Sequence, residues 1–424
     1  MALVTQVPIL VDPTHFSRQQ GDRTLFVRGT NLYLVWPYND TSAMAVYKST
    51  DQGLTWAEMD VAGKPAGAFT IRKFFDDTSN DLISILYTPD NINHRFVNFS
   101  TATDTYGTPS NSVNLAGYTP EVFWHKLAGT PVIILTTGST SHYATTYNGS
   151  SWSAIGAPIK TFGSTGFITT GFRDGAGVYH ALIVLNSSTT LNYIEINDSL
   201  VVTNPVLLYT GGNSIFQVSP LVTDGAKQYL SASITESPST YSVRGFVGSA
   251  LVSPSWSNAL ADSLTVFDQA TYPDAVIDKD GNFVVFWTVL GSSFDETRMA
   301  TFNGSTFDAF VLFYDAVTNP PPNADVFNFI HTWGAHQFGD GTWVAGTAME
   351  TTDLGGSCTG FILTTAMSAI ATTVDIALGL GISFSFGFSG GPPGPNPPPF
   401  CIPVPVSNNP DVIAYNEPLE RTGS

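Results

Sequence analysis

The chain has 424 residues, of which 43% are hydrophobic and only 12% charged, enough for one large all-β domain or two ordinary ones. A formal charge of -18 excludes the basic footprint that nucleic acid or an anionic membrane surface requires. No apolar run reaches the length of a membrane-spanning helix, so no membrane insertion is expected. Met1-Ala2-Leu3-Val4-Thr5 lacks the basic start and long apolar core of a signal peptide.

Helical periodicity is scarce along the chain. The first apolar run is Leu3 to Val11, ahead of the repeating part. Seven β-branched or aromatic runs then recur between Gly, Asn, Asp and Pro punctuation. They include Leu32-Tyr33-Leu34-Val35-Trp36, Val132-Ile133-Ile134-Leu135, Ala181-Leu182-Ile183-Val184-Leu185 and Phe283-Val284-Val285-Phe286-Trp287. Their centres fall near residues 34, 84, 134, 183, 230, 285 and 344. A period of about 50 residues is the size of a four-stranded propeller blade. The spacing therefore predicts an all-β fold, a β-propeller of seven four-stranded blades, with six blades as the alternative. The last blade is one strand short, and the N-terminal run is available to complete it and remove two open sheet edges.

Turn markers follow the same period. Lys48-Ser49-Thr50-Asp51-Gln52-Gly53-Leu54-Thr55-Trp56 reads as a hairpin corner. Asp51 can bond the amides of its own turn, Gly53 can take a positive φ, and the Trp56 ring can staple the corner to the sheet. Thr146 to Trp152 and Thr301 to Phe307 are degenerate copies. Asn148-Gly149 and Asn303-Gly304 make the turns, and Trp152 and Phe307 follow them. Trp256 is a further aromatic marker. Inner strands are expected to end in turns such as Asp224-Gly225 and Asp278 to Asn282. The latter mimics a calcium loop, but Gly281 comes too early and Val289 stands where a closing Glu is needed.

The Ser-x-Asp-x-Gly-x-Thr-Trp pattern of Ser49, Asp51, Gly53, Thr55 and Trp56 resembles the Asp-box of sialidase-like, BNR-repeat β-propellers. The resemblance covers roughly residues 16–378, with one box well preserved. It implies a structural box at the outer edge of a blade, away from an active centre. In that family three arginines hold a substrate carboxylate, a Tyr–Glu pair is the nucleophile and an Asp is the acid/base. The carry-over fails here. An Arg-Ile-Pro signature is absent, the chain reading Phe16-Ser17-Arg18-Gln19-Gln20. Arg244 and Arg298 fall on expected third strands, away from the axis. Arg173, with Arg18, Arg23 or Arg72, remains for the centre, and salt-bridging is the better reading of these.

Other constellations carry little chemistry. Asp76-Asp77 are adjacent, so on a strand they would face opposite ways; they read as the turn after Phe74-Phe75. His331 and His336, near Trp333, have no His-Glu-x-x-His pattern. Cys358 and Cys401 are the only cysteines, too few for a framework or a metal cluster, and are read as free thiols. No cofactor or metal is expected.

Beyond residue 378 the composition changes. Gly379 to Phe388 alternates small and aromatic residues, and Gly391 to Pro399 is Pro-rich, favouring extended chain. Residues 379–424 are read as an arm that docks on another subunit through Phe400, Ile402 and Val404. The organisation expected is thus 1–15 as a closing strand, 16–378 as the propeller and 379–424 as the arm. Low Lys and Arg content, a Ser/Thr/Asn-rich surface and the arm suggest an oligomeric structural or binding protein. It would sit on a phage or virus particle, or an extracellular surface after cytoplasmic synthesis, and bind cell-surface glycans. The resemblance implies the runner-up, a sialidase-like glycoside hydrolase working in the central cavity. A secreted lectin-like module is the third reading.

Overall fold

Ile133, Ile134, Leu182 and Ile183 are all fully buried, although neighbours on a strand point to opposite faces. A strand of this kind needs a partner layer on both sides. Sheets stacked face to face around an axis supply one, and the computed structural model has this arrangement. It describes residues 5–12, 24–36, 44–65, 67, 70–138, 140–185, 189–211, 213–237, 240–265, 269–290, 295–315, 327–351, 358–365, 376–378 and 382–384. The chain divides into two units, Met1–Met367 and Ser368–Ser424.

The first unit is a β-propeller. Six of its sheets, or blades, are formed from consecutive antiparallel strands. The first blade holds Leu25–Arg28, Asn31–Trp36, Ala45–Ser49 and Ala57–Glu58, and the second starts with Thr70–Asp77, Leu82–Thr88 and Asn93–Ser100. The third runs from Thr119–His125 to Lys160–Thr161 and the fourth from Gly166–Arg173 to Val206–Thr210. The fifth runs from Ser214–Val218 to Trp256–Thr265 and the sixth from Gln269–Ile277 to Val311–Asp315. A seventh sheet unites distant parts of the chain. Phe327–Gln337, Trp343–Thr351 and Cys358–Thr364 are followed by Thr5–Asp12, with Val7 opposite Ile362 and Asp12 opposite Cys358. Each of the seven apolar runs seen in the sequence is the second strand of a sheet. The first strands of five sheets, together with Pro220 to Thr223 just after the first strand of the fifth blade, converge on one cavity, so the first strands are the inner ones.

The core lies between the sheets. Trp124 of the third blade stacks on Tyr179 of the fourth, with centroids 4.7 Å apart. Phe286 of the sixth packs edge-on against Trp343 of the seventh at 5.2 Å. Polar bonds cross the seams as well. The Tyr106 amide donates to Asp60 at 2.8 Å between the first two blades. The Ala335 amide donates to buried Asp274 at 3.1 Å between the last two. The ring closes where Gln52 Nε2 donates to Asp340 at 2.6 Å and Thr364 Oγ1 donates to the Gln52 carbonyl at 2.8 Å.

In the second unit, Ile376–Leu378 pairs antiparallel with Ile382–Phe384. The unit boundary at 367/368 precedes the expected arm at 379. Phe400, Ile402, Val404 and Cys401 lie outside the described residues.

Seam packing explains a glycine inside a strand. A Cβ on Gly245, in the third strand of the fifth blade, would lie 2.3 Å from Phe307 Cζ and 2.8 Å from Phe283 Cε1 of the sixth. Both rings belong to a packed cluster and would have to shift. Gly245→Ala is expected to destabilise by about 1–3 kcal/mol, read as a lower denaturant midpoint at unchanged slope. A neutral result would mean the fifth–sixth seam is loose.

Candidate functional site

The corner at Ser49–Trp56 is closed by its own side chains. Ser49 Oγ donates to Asp51 Oδ1 at 2.8 Å and accepts from the Gly53 amide at 2.9 Å. Thr55 gives its amide to Asp51 Oδ1 at 2.8 Å and its hydroxyl to Oδ2 at 2.6 Å. The Trp56 indole N–H caps the Gly53 carbonyl at 3.0 Å. Gly53 has φ 88°, a region that favours glycine. Burial pushes the Asp51 carboxyl up, but the Thr55 and Ser49 bonds outweigh it and leave it below the usual range. These residues are a local brace. Asp51→Ala removes the acceptor of three bonds and should cost about 2 kcal/mol, measured as loss of unfolding free energy; a loss under a tenth of that would show the corner to be ornamental.

The two degenerate copies share one geometry. Asn148 Oδ1 accepts from the Ser150 and Ser151 amides at 3.0 and 2.8 Å, and Gly149 has φ 94°. Asn303 Oδ1 accepts from the Ser305 and Thr306 amides at 3.2 and 3.1 Å, and Gly304 has φ 100°. Trp152 packs against Phe96 of the preceding blade at 5.8 Å, and Phe307 against Phe283 at 5.6 Å. A further copy, without the aromatic marker of the others, lies at Asn197, whose Oδ1 accepts from the Ser199 and Val201 amides, both at 3.0 Å. Val202 takes the aromatic's place in the closing bridge to Ile196. An Asn after an apolar strand was the signal available there. The Asp278 loop is a hairpin. Asp278 Oδ1 turns inward to the amides of Asp280 and Asn282 at 2.9 and 2.7 Å. Among the described residues no group of His, Cys, Asp and Glu could hold a metal.

The inner strands surround a cavity of about 510 Å3. Its wall is largely apolar, with Phe26, Phe75, Phe172 and Leu221, and carries Asp76, Arg173 and His336. Asp76 and Asp77 are the last residues of the inner strand Thr70–Asp77, not the turn expected after Phe75. They do face opposite ways. Asp76 pairs with Arg28 of the first blade. Asp77 is buried; its Oδ1 lies 3.4 Å from Arg173 Nη2, and its Oδ2 accepts from Asn80 at 3.0 Å with His125 Nδ1 3.7 Å away. Arg173 Nη1 donates to the carbonyls of His125 and Lys126, both at 2.9 Å. Second, third and fourth blades are thus joined at one node.

The other arginines are also engaged. Arg244 pairs with Glu236 at 3.1 Å, and Arg298 with Asp262 at 2.9 Å while covering the Phe310 ring at 4.2 Å. Both stand on third strands, and Arg72 donates to Asn91. Arg18, Arg23 and the side chains of His331, Trp333 and Cys358 lie outside what is described.

The Asp77 node fixes a pH response. Burial pushes the carboxyl up, but His125, Asn80 and Arg173 outweigh it and hold it at about 2. The folded chain therefore binds this proton less readily than the unfolded one. The contribution is complete above about pH 4 and is lost as pH falls toward 2, worth roughly 2 kcal/mol. Asp77→Asn should flatten the stability profile across that window; an unaltered slope would show that Asp77 is not held by the node.

No protein-family model matches the chain, and no curated protein matches it. Solved structures similar to it include a prolyl endopeptidase, at 11% identity and TM-score 0.44, covering 81% of this chain and 50% of that one. The chain thus spans half the length of that enzyme. An intramolecular trans-sialidase from Ruminococcus gnavus matches at 12% identity and TM-score 0.39, over 65% of this chain and 91% of that one. A xyloglucanase from Xanthomonas campestris matches at 10% and 0.48, over 82% and 54%. The activities belong to those proteins.

Proposed function

We propose that the chain is a non-catalytic binding and structural component of a larger assembly. A phage or virus particle suits its composition best. The propeller is displayed to bind surface glycans, and residues 379–424 tie it to neighbouring subunits. The observation that carries this reading is the commitment of Asp76, the carboxylate that lines the central cavity among the described residues, and of its buried neighbour Asp77. Most glycoside hydrolysis uses two carboxyl groups, and in the sialidase-like case too an acid/base carboxyl must hold a transferable proton near neutral pH. Asp76 is paired with Arg28, and Asp77 is held ionised at about 2 by its partners. Neither is placed to act as a general acid. The cation left for a substrate carboxylate at the centre, Arg173, is likewise turned into a seam, on Asp77 and the carbonyls of His125 and Lys126.

Light scattering on the full chain and on one ended at Phe388 tests the assembly role. The full chain should form a defined oligomer and the shortened one a monomer of unchanged melting temperature. Two equal monomers would contradict the arm's role. Hydrolysis of a glycoside by the full chain, lost in Asp76→Asn, would overturn the non-catalytic reading.

A further inference from the structure

A cleft of about 560 Å3 opens between the fifth and sixth blades, away from the central cavity. That volume is in the range of small-molecule sites, roughly 300–1,000 Å3. Tyr229, Trp256, Phe283 and Phe302 supply its aromatic carbon. Tyr229 and Phe283 are buried and packed on each other at 5.1 Å, whereas Trp256 and Phe302 are half-buried. The Tyr229 ring is fixed further, because its hydroxyl donates to Asp224 at 2.6 Å. The rim consists of exposed hydroxyls and amides, among them Ser255, Ser257 and Asn282. Lys227 is the one charged residue of the lining, and no carboxylate lines it.

This is the surface chemistry of a sugar's counterpart. A pyranose has an apolar C–H face and an edge of hydroxyls that donate and accept. Rigid aromatic carbon suits the face. Ser hydroxyls and Asn amides, which likewise donate and accept, suit the edge. The one positive charge of the lining, Lys227, acts on Asp224 just outside it, and the chain carries a formal charge of -18, which disfavours acidic sugars at long range.

The plan recurs at another seam. A cleft of about 470 Å3 lies between the second and third blades, where the outer chain of one blade, at Asn111 and Asn114, meets the Ser150–Trp152 corner of the next. The fifth–sixth cleft has the same parts, with Ser255 and Ser257 meeting Asn303 and Gly304. The second–third cleft has one aromatic ring, Trp152, in its lining against four in the other. The Trp152 N–H is moreover bound to the Asn111 carbonyl at 2.9 Å. It is the poorer version of the same design and an internal control.

We propose that the cleft between the fifth and sixth blades binds a neutral saccharide of a surface glycan. The inference rests on the reading of the propeller as a binding component and assigns it a site. Labelled full-length chain is applied to an array of neutral and acidic glycans, and the bound glycans are titrated by calorimetry. Ser257→Arg fills the cleft from an exposed position, so its melting temperature should not change. Asn282→Arg fills it too but loses the Asn282 Nδ2 bond to Asp278 at 3.0 Å, so its affinity is read only at a temperature where it is folded. Neutral glycans should bind, and each variant should raise Kd at least tenfold, whereas Ser153→Arg in the second–third cleft should leave Kd unchanged. Binding that survives both cleft variants would overturn this site while leaving a binding propeller in place. An array with no bound neutral glycan would overturn the sugar specificity, and light scattering would still decide the assembly role separately.

Discussion

The structure depends on one constraint: every blade must bury both of its faces. Runs such as Val132 to Leu135 and Ala181 to Val184 are fully buried from end to end, so no blade is stable at an open end of a row. A ring satisfies this only if it closes. Closure uses Thr5–Asp12 as the outer strand beside Cys358–Thr364, and it uses the Ser49–Trp56 corner in a second way. Gln52 sits at the tip of that corner with φ 57°. Its amide and carbonyl meet Asp340 and Thr364 of the seventh sheet. The corner that braces the first blade is therefore also the latch of the ring.

Charge is scarce and is spent on the same task. The chain has 16 Lys and Arg against 34 Asp and Glu. Arg28 to Asp76, Lys48 to Asp104, Arg173 to Asp77 and Arg298 to Asp262 each join neighbouring or nearby blades. Partly buried pairs of this kind fix register more than they add stability. A cation held in a seam cannot at the same time clamp a ligand. The polar surface that remains in the clefts beside the corners is mainly one of hydroxyls and amides.

The second strands were legible because their apolar residues are continuous, and continuity survives without knowledge of the neighbours. The corners at Asp51, Asn148 and Asn303 were legible because Gly and Asx residues announce local turns. The Asn197 corner was not, because Val202 replaces the aromatic that marked the others. The Asp77 node was illegible for a different reason. Its partners Arg173 and His125 are 96 and 48 residues away, and only the folding of three blades brings them together. Asp76-Asp77 read as a turn because adjacent carboxylates on a strand would face opposite ways; the strand runs on to Asp77 because each finds a cation on its own face. The fifth–sixth cleft was hidden likewise, since Tyr229, Trp256 and Phe302 come from separate strands and corners.

Native-state hydrogen exchange of Cys358–Thr364 tests closure of the ring most directly. This strand lies between Trp343–Thr351 and Thr5–Asp12, so half of its amides face each neighbour. If the ring is closed as described, all of its amides exchange slowly and together, opening only with the blades on either side. If the amides facing Thr5–Asp12 exchange rapidly while the others stay protected, the strand is an open edge and the closed ring is wrong.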